Sequence, residues 1–423
     1  REIIRVRFVE PYPRFSQLAV EGRTPLSGPH WQQDPHFDLD LHLHRVALPP
    51  PGDQQALRDL VGDVTATPLD PARPLWSFHL VDDYGTGAAM VARIHHCIAD
   101  GIALSRVMLS LTDDLGGKGG SKPETKAKGK SGSRLGSLAG SVTGAVSAAT
   151  GLAGTLAHES LEVVRHPSHV GDIAGTGRED ADALAHVLLR DAETPTPLKG
   201  EMGIAKSVTW SEPVSLEDLR EMSHQTGTTI NDLVLTAMAG SFRKYLRNRD
   251  GLVDEVTAVI PFNLREPGKP LPSTLGNLFG LVFMGLPVGT GNRRTRLQEV
   301  HERMDAIKHS PEGAISYGLL GALGKTPMQV EKKLIEVFSS KGTAVITNVP
   351  GPREKVFLAG TPVAGVLVWA PSSGDIPMTV SIFSYSGEVT VGLMVDSGLI
   401  PEPDEIVRGF DTELRALLRL KRP

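Results

Sequence analysis

Two histidines stand side by side in His95-His96-Cys97-Ile98-Ala99-Asp100-Gly101, with a carboxylate four positions after the second. An imidazole with an ordinary pKa of about 6.5 takes up and gives back a proton within one turnover near neutral pH, as general base catalysis on a hydroxyl requires. His96 is therefore the candidate base. Adjacent strand residues point to opposite faces, so His95 and His96 cannot both play that part; one faces a cleft and the other packs. The plainer reading is that both simply close a buried strand. Asp100 can set the turn, cap the following helix or pair with an arginine. Gly101 gives the backbone room where the strand turns into that helix.

Rival chemistries lack their residues. No Gly-x-Ser-x-Gly elbow occurs, and the Gly-Lys-Ser/Thr fragments at Gly129 and Gly324 lack the glycine five positions earlier that a phosphate loop needs. Cys97 adjoins His96, but neighbours at a strand end point apart, which counts against a covalent thiol route. As the only cysteine, it excludes an internal disulfide and a multi-cysteine metal site, and fits a reducing, cytoplasmic setting. With 44 Lys+Arg against 49 Asp+Glu the net charge is −5, no field for wrapping nucleic acid. His42 and His44 lack a third ligand nearby, so no metal is expected.

The elements that position the histidines follow from the apolar pattern. Strict alternation over Phe37 to His44 predicts a half-buried strand with His42 and His44 on its solvent side. A helix near Asp53 to Val64 follows, then Pro74-Leu-Trp76 and a strand over Ser77 to Val81. The acidic, Gly-bearing stretch Asp82 to Gly87 reads as a hairpin connection into a strand over Ala88 to Ile94, which delivers His95 and His96 at its end. Helical spacing begins after Gly101. Gly116 to Arg134 is a Gly/Lys/Ser linker that cannot build a core, and its five lysines and one arginine are either solvated or resting on an anionic lipid surface, at about 1 kcal/mol per basic residue.

Residues 136 to 190 favour helix and read as a crossover. The overlapping stretch Leu135 to Ala157 is too diluted by Gly, Ser and Thr to span a bilayer, so any membrane contact is expected to be peripheral. The second half carries a strand near Ile204 to Trp210 and helices after Ser215 and Thr229. Strands are expected around Thr257, Leu281, Val345, Val363, Thr379 and Val389, and helices over Thr295 to Ser310, Met328 to Ser339 and at the C-terminal end. Asn231 opens a helix among apolar neighbours and either caps it or aims at the site. Asn348, in Thr347 to Pro352, either forms a turn or orients substrate.

The pattern His-His-x-x-x-Asp-Gly is similar to the signature of the coenzyme A-dependent acyltransferases, and further blocks follow in order. With Pro74-Leu-Trp76, Asn231-Asp232, Pro261-Phe-Asn-Leu-Arg265, Gly276-Asn277 and Thr347-Asn-Val-Pro-Gly-Pro352, the chain resembles the bacterial wax ester synthase/acyl-CoA:diacylglycerol acyltransferase family from Phe37 to Asp404. The resemblance implies an α/β fold of mixed sheets in two chloramphenicol acetyltransferase-like domains. Between them it implies a tunnel open to coenzyme A on one side and acceptor on the other. It implies that His96 is the base and Asp100 architectural, and that members make wax esters or triacylglycerols at a membrane or lipid inclusion. The resemblance also implies a further family block ahead of the position of Arg1, and the Lys-rich linker reads as individual to this chain.

The expected division is 1–115 for the domain holding the histidines, 116–200 for linker and crossover, and 201–423 for the second domain. The expected activity is transfer of a long-chain acyl group from acyl-CoA, a substrate and not a cofactor, to a fatty alcohol or diacylglycerol without a covalent acyl-enzyme. The expected setting is the cytoplasm, at the inner membrane face or lipid inclusions. Two alternatives differ in kind: a condensation-type enzyme using a carrier-protein thioester, and a non-catalytic lipid-binding homologue.

Overall fold

The computed structural model describes residues 1–22, 28–113, 193–266, 268–323, 335–336, 339–372 and 374–420. The linker, the crossover and nearly all of the helix expected at Met328 to Ser339 lie outside these residues.

The N-terminal half holds a three-stranded mixed sheet in the order β1 (Leu43–Ala47), β2 (Trp76–Tyr84), β3 (Gly87–Ile94). β1 runs parallel to β2, and β2 pairs antiparallel with β3. The expected strand over Phe37 to His44 is a correction: Leu39–His42 is a 3-10 turn, begun by Asp38 accepting from the Asp40 N–H, and the strand starts only at Leu43. That turn breaks the alternation and swings His42 inward. Its Nδ1 lies 2.8 Å from the Trp76 carbonyl, which can only accept, so Nδ1 carries the proton. Burial lowers the His42 pKa and keeps the ring neutral. The Pro74-Leu-Trp76 block is thereby explained: Trp76 is fully buried, stacks on His42 at 4.2 Å and donates its indole N–H to the Phe15 carbonyl at 2.8 Å.

Helix α1 (Gln54–Ala66) starts where Asp53 accepts from the Ala56 N–H, and α2 (Gly101–Ser110) starts at Asp100 in the same manner. The hairpin reading is shortened, since β2 runs on to Tyr84 before the turn.

The C-terminal half is built on a seven-stranded sheet from β4 (Lys206–Trp210), β5 (Val214–Ser215), β6 (Val256–Asn263), β7 (Phe279–Leu286), β8 (Ala344–Pro350), β9 (Met378–Tyr385) and β10 (Glu388–Asp396). Its order is β4-β10-β9-β8-β6-β7, with β5 beside β10. β8 is parallel to both neighbours and the other pairs are antiparallel. Helices α3 (Leu216–Thr226), α4 (Ile230–Arg247), α5 (Arg293–Lys308), α6 (Glu312–Leu323) and α7 (Pro403–Leu417) complete it. Alternation sorts the faces: Met378, Val380 and Ile382 of β9 join α4, α5 and α7 in the main core. Phe383 of β9 and Val349 of β8 meet Ile102 of α2 on the other side.

The two halves share more than that contact. Leu57 and Val61 of α1 and Val81 of β2 form one apolar cluster with Val208 of β4 and Met394 of β10, each buried side chain contributing about 1.5–3 kcal/mol. Arg58 bridges the same seam, reaching Asp404 at 3.2 Å and lying 4.7 Å over the Trp210 ring.

Candidate active site

β3 ends at Ile94, as expected, and the chain then turns sharply. The His95 N–H donates to Leu75 O at 2.9 Å, and the Ile98 N–H closes the turn onto His95 O at 3.1 Å. Ile98 and Ala99 plug the N-terminal core with no exposed surface, which fixes the loop from beneath.

Its upper side is held by the opposite half. Between β6 and β7 the chain crosses over, and Leu275 buries itself in the N-terminal core with φ of 55°, followed by Gly276 at 89°. Two successive residues in the left-handed region reverse the chain, which suits glycine and strains leucine. The Gly276 N–H donates to Ile98 O at 3.0 Å, and the Asn277 Nδ2 to His96 O at 2.9 Å. The Leu278 N–H donates to Asp100 Oδ2 at 3.0 Å, and the Phe279 ring stands edge-on to His96 at 5.5 Å.

Asp100 is the knot. Its Oδ1 accepts from the Ala103 N–H at 2.9 Å, capping α2, while Oδ2 accepts from Arg265 Nε at 2.8 Å. Arg265 also donates to the Gly276 carbonyl, so one guanidinium ties the carboxylate to the crossing segment. Burial works against the charge, yet Arg265 and the Ala103 and Leu278 amides hold the Asp100 carboxyl below the usual range. Of the three roles open to Asp100, it fills both the cap and the arginine pair. An aspartate ionised throughout the neutral range is no proton donor.

His96 is half-buried. Burial lowers its pKa, opposed by Asp100, its own carbonyl and Asn277, and reinforced by His95. The ring is therefore neutral at pH 7 with a lone pair to offer. His95 departs from expectation. It is exposed and not packed, because the turn begins directly after Ile94 and its Nδ1 accepts from the Cys97 N–H at 3.2 Å. Gly101 departs too: a Cβ there would meet no protein atom within 4 Å, so local packing does not demand glycine. Cys97 is exposed as a residue, but partial burial of its thiol pushes its pKa up to about 11, which leaves it a poor nucleophile.

The two asparagines are not drawn into this knot. Thr229, not Asn231, caps α4, in a reciprocal box with Asp232, and Asn231 sits half-buried one position inside the helix. Asn348 lies exposed within β8, paired in register with Ile382, so the turn expected over Thr347 to Pro352 starts only after Pro350. Among the described residues no hydrogen bond links either to the His96 loop. Sequence reasoning did not assign Arg265 and Asn277 to the site. Both lie in blocks that carry the family resemblance, but their partners are 165 and 181 positions away.

Residues 4–234 match the wax ester synthase/diacylglycerol acyltransferase catalytic domain, and residues 275–418 the C-terminal domain of the same family. A Mycobacterium tuberculosis H37Rv protein named as a probable diacylglycerol O-acyltransferase is 26% identical over 421 residues, covering 98% of this chain and 86% of its own. The fold is similar to that of the wax ester synthase/diacylglycerol acyltransferase from Marinobacter aquaeolei VT8, with TM-score 0.64 and 19% identity over 98% of this chain and 88% of that one. It is less similar to a nonribosomal peptide synthetase cyclization-docking bidomain from Sorangium cellulosum, with TM-score 0.53 and 14% identity over 100% of this chain and 77% of that one. With both family domains matched in order along one continuous chain, the protein belongs to the wax ester synthase/diacylglycerol acyltransferase family.

Proposed function

We propose that His96 is the general base of a direct acyl transfer from acyl-CoA to a hydroxyl acceptor, a long-chain alcohol or diacylglycerol. Family membership gives the reaction class; the residue roles are our reading. The acceptor hydroxyl gives its proton to the neutral imidazole as its oxygen attacks the thioester carbonyl carbon. The tetrahedral intermediate collapses, the carbon–sulfur bond breaks, and the departing sulfur takes the proton from the imidazolium. Ester and free coenzyme A result, and His96 is neutral again. Asp100 holds the loop and transfers no proton.

The observation that carries this reading is the neutral, half-buried imidazole at a turn tied down from both halves of the chain. In this reading residues 1–115 and 201–423 form two domains, and donor and acceptor approach His96 from opposite sides of their seam. The decisive assay supplies a long-chain acyl-CoA with hexadecanol, diacylglycerol or a long-chain amine and measures free thiol and lipid product together. Equal yields of thiol and ester support the proposal. Thiol without ester, or turnover only with a carrier-protein thioester, overturns it.

The same substrates favour work at a lipid surface on the cytoplasmic side. Among the described residues no helix is long and apolar enough to cross a membrane. The basic run Gly116 to Arg134 supplies charge for peripheral contact. Co-sedimentation with anionic vesicles should then weaken as salt rises, and binding unaffected by changing Lys118, Lys122, Lys126, Lys128 and Lys130 to Ser would remove the run's role.

A further inference from the structure

We propose that Asn277 is a positioning residue for His96, orienting the base from the opposite half of the chain. The inference rests on the reading of His96 as base and adds to it the group that aims the ring. The Asn277 amide lies 2.9 Å from the His96 carbonyl oxygen, and a carbonyl only accepts, so the NH2 end of the amide must face it. That carbonyl and the Asn277 side chain both favour the protonated form of the ring. Asn277 thus holds the backbone of the base itself.

Its own placement is over-determined. Gly276 before it bonds Ile98, Leu278 after it bonds Asp100, and Phe279 presses its ring against the imidazole. A side chain fixed on both sides holds its partner at little entropic cost. Yet Asn277 is itself exposed and adds nothing to either core. An exposed residue whose amide is spent on one carbonyl beside the base has positioning as its use. The charged and titratable groups around the ring are His95 and Asp100 on its own loop, with Arg265 behind Asp100 from the crossing segment.

The test compares Asn277→Ala and Asn277→Asp with the unaltered chain and with His96→Ala, measuring kcat, KM for acyl-CoA, the pH profile and the melting temperature. Asn277→Ala should lower kcat about tenfold to a hundredfold, as loss of an orienting partner does, with KM within about twofold. Because Asn277 favours the protonated ring, the acid limb should move to lower pH in Asn277→Ala. In Asn277→Asp, which places a negative charge beside the ring, it should move to higher pH. A merely structural role would not move the limb in opposite directions. Unaltered kcat and an unmoved limb in both variants, or activity that falls only with the folded fraction, would overturn the proposal. If His96→Ala itself kept turnover, the reading of the base would fail. If His96→Ala lost turnover while Asn277→Ala kept kcat and limb, only the role of Asn277 would fail.

Discussion

Two helix starts in this chain share a plan. At α2 the buried Asp100 caps the helix and pairs with Arg265, and at α4 the buried Asp232 closes a capping box with Thr229 and meets His301 Nδ1 at 2.8 Å. Both carboxylates fasten a helix N-terminus to a distant basic side chain. They differ in what precedes the helix and in how fully each is satisfied. Asp100 has both oxygens bonded, whereas Asp232 Oδ1 is buried with no partner among the described residues. Four positions before Asp100 comes His96, whereas the four positions before Asp232 are Thr228, Thr229, Ile230 and Asn231, with no histidine among them. A buried acid with a basic partner at a helix start is therefore architecture, and chemistry enters only where a histidine is held in the turn ahead of it.

The sharpest break in the parallel should come from the two isosteric replacements. Asp100→Asn leaves Arg265 nearly buried and unpaired, so urea unfolding should show a loss of about 3–5 kcal/mol. Turnover should fall with it. Asp232→Asn disturbs a cap and one hydrogen bond, and should cost about 1–2 kcal/mol while kcat per folded molecule stays unchanged. Equal losses for the two would erase the distinction.

Acid titration sharpens it further. The folded pKa of Asp100 lies below the unfolded value of about 3.9, so its contribution to stability is present above that value and is lost as pH falls through the folded pKa. Unfolding free energies measured from pH 6 downward should fall less steeply below about pH 4 for Asp100→Asn than for the unaltered chain. The smallest effects belong to the neighbours of His96. Cys97→Ser should leave turnover within about twofold, because the thiol is protonated at neutral pH. His95→Ala should change unfolding by about 0.5 kcal/mol or less, as an exposed position does, and a loss of several times that would restore a packing role.

What the sequence made legible was local. Asp100 announced a helix because a capping side chain and its target N–H lie within three residues, and helices begin after Ser215 and Thr229 as expected, although the cap of the second is Thr229 and not Asn231. The strand ending at Ile94 followed from the acidic, Gly-bearing turn before it. What escaped was whatever depends on a distant partner. His42 seemed to face solvent until a 3-10 turn carried it under Trp76. The partner of Asp100 stayed open because nothing near Arg265 says which carboxylate it will meet. The site is a meeting of two segments, and only one of them bears a chemical signature.

In the proposed mechanism His96, and no other group on its loop, takes the acceptor proton. The direct measurement is the single-turnover rate of ester formation by His96→Ala at saturating acyl-CoA and alcohol, alongside its melting temperature. The expected result is an unchanged melting temperature and a rate lower by about a hundredfold to ten-thousandfold. A well-folded His96→Ala protein that forms ester at close to the unaltered rate would contradict it.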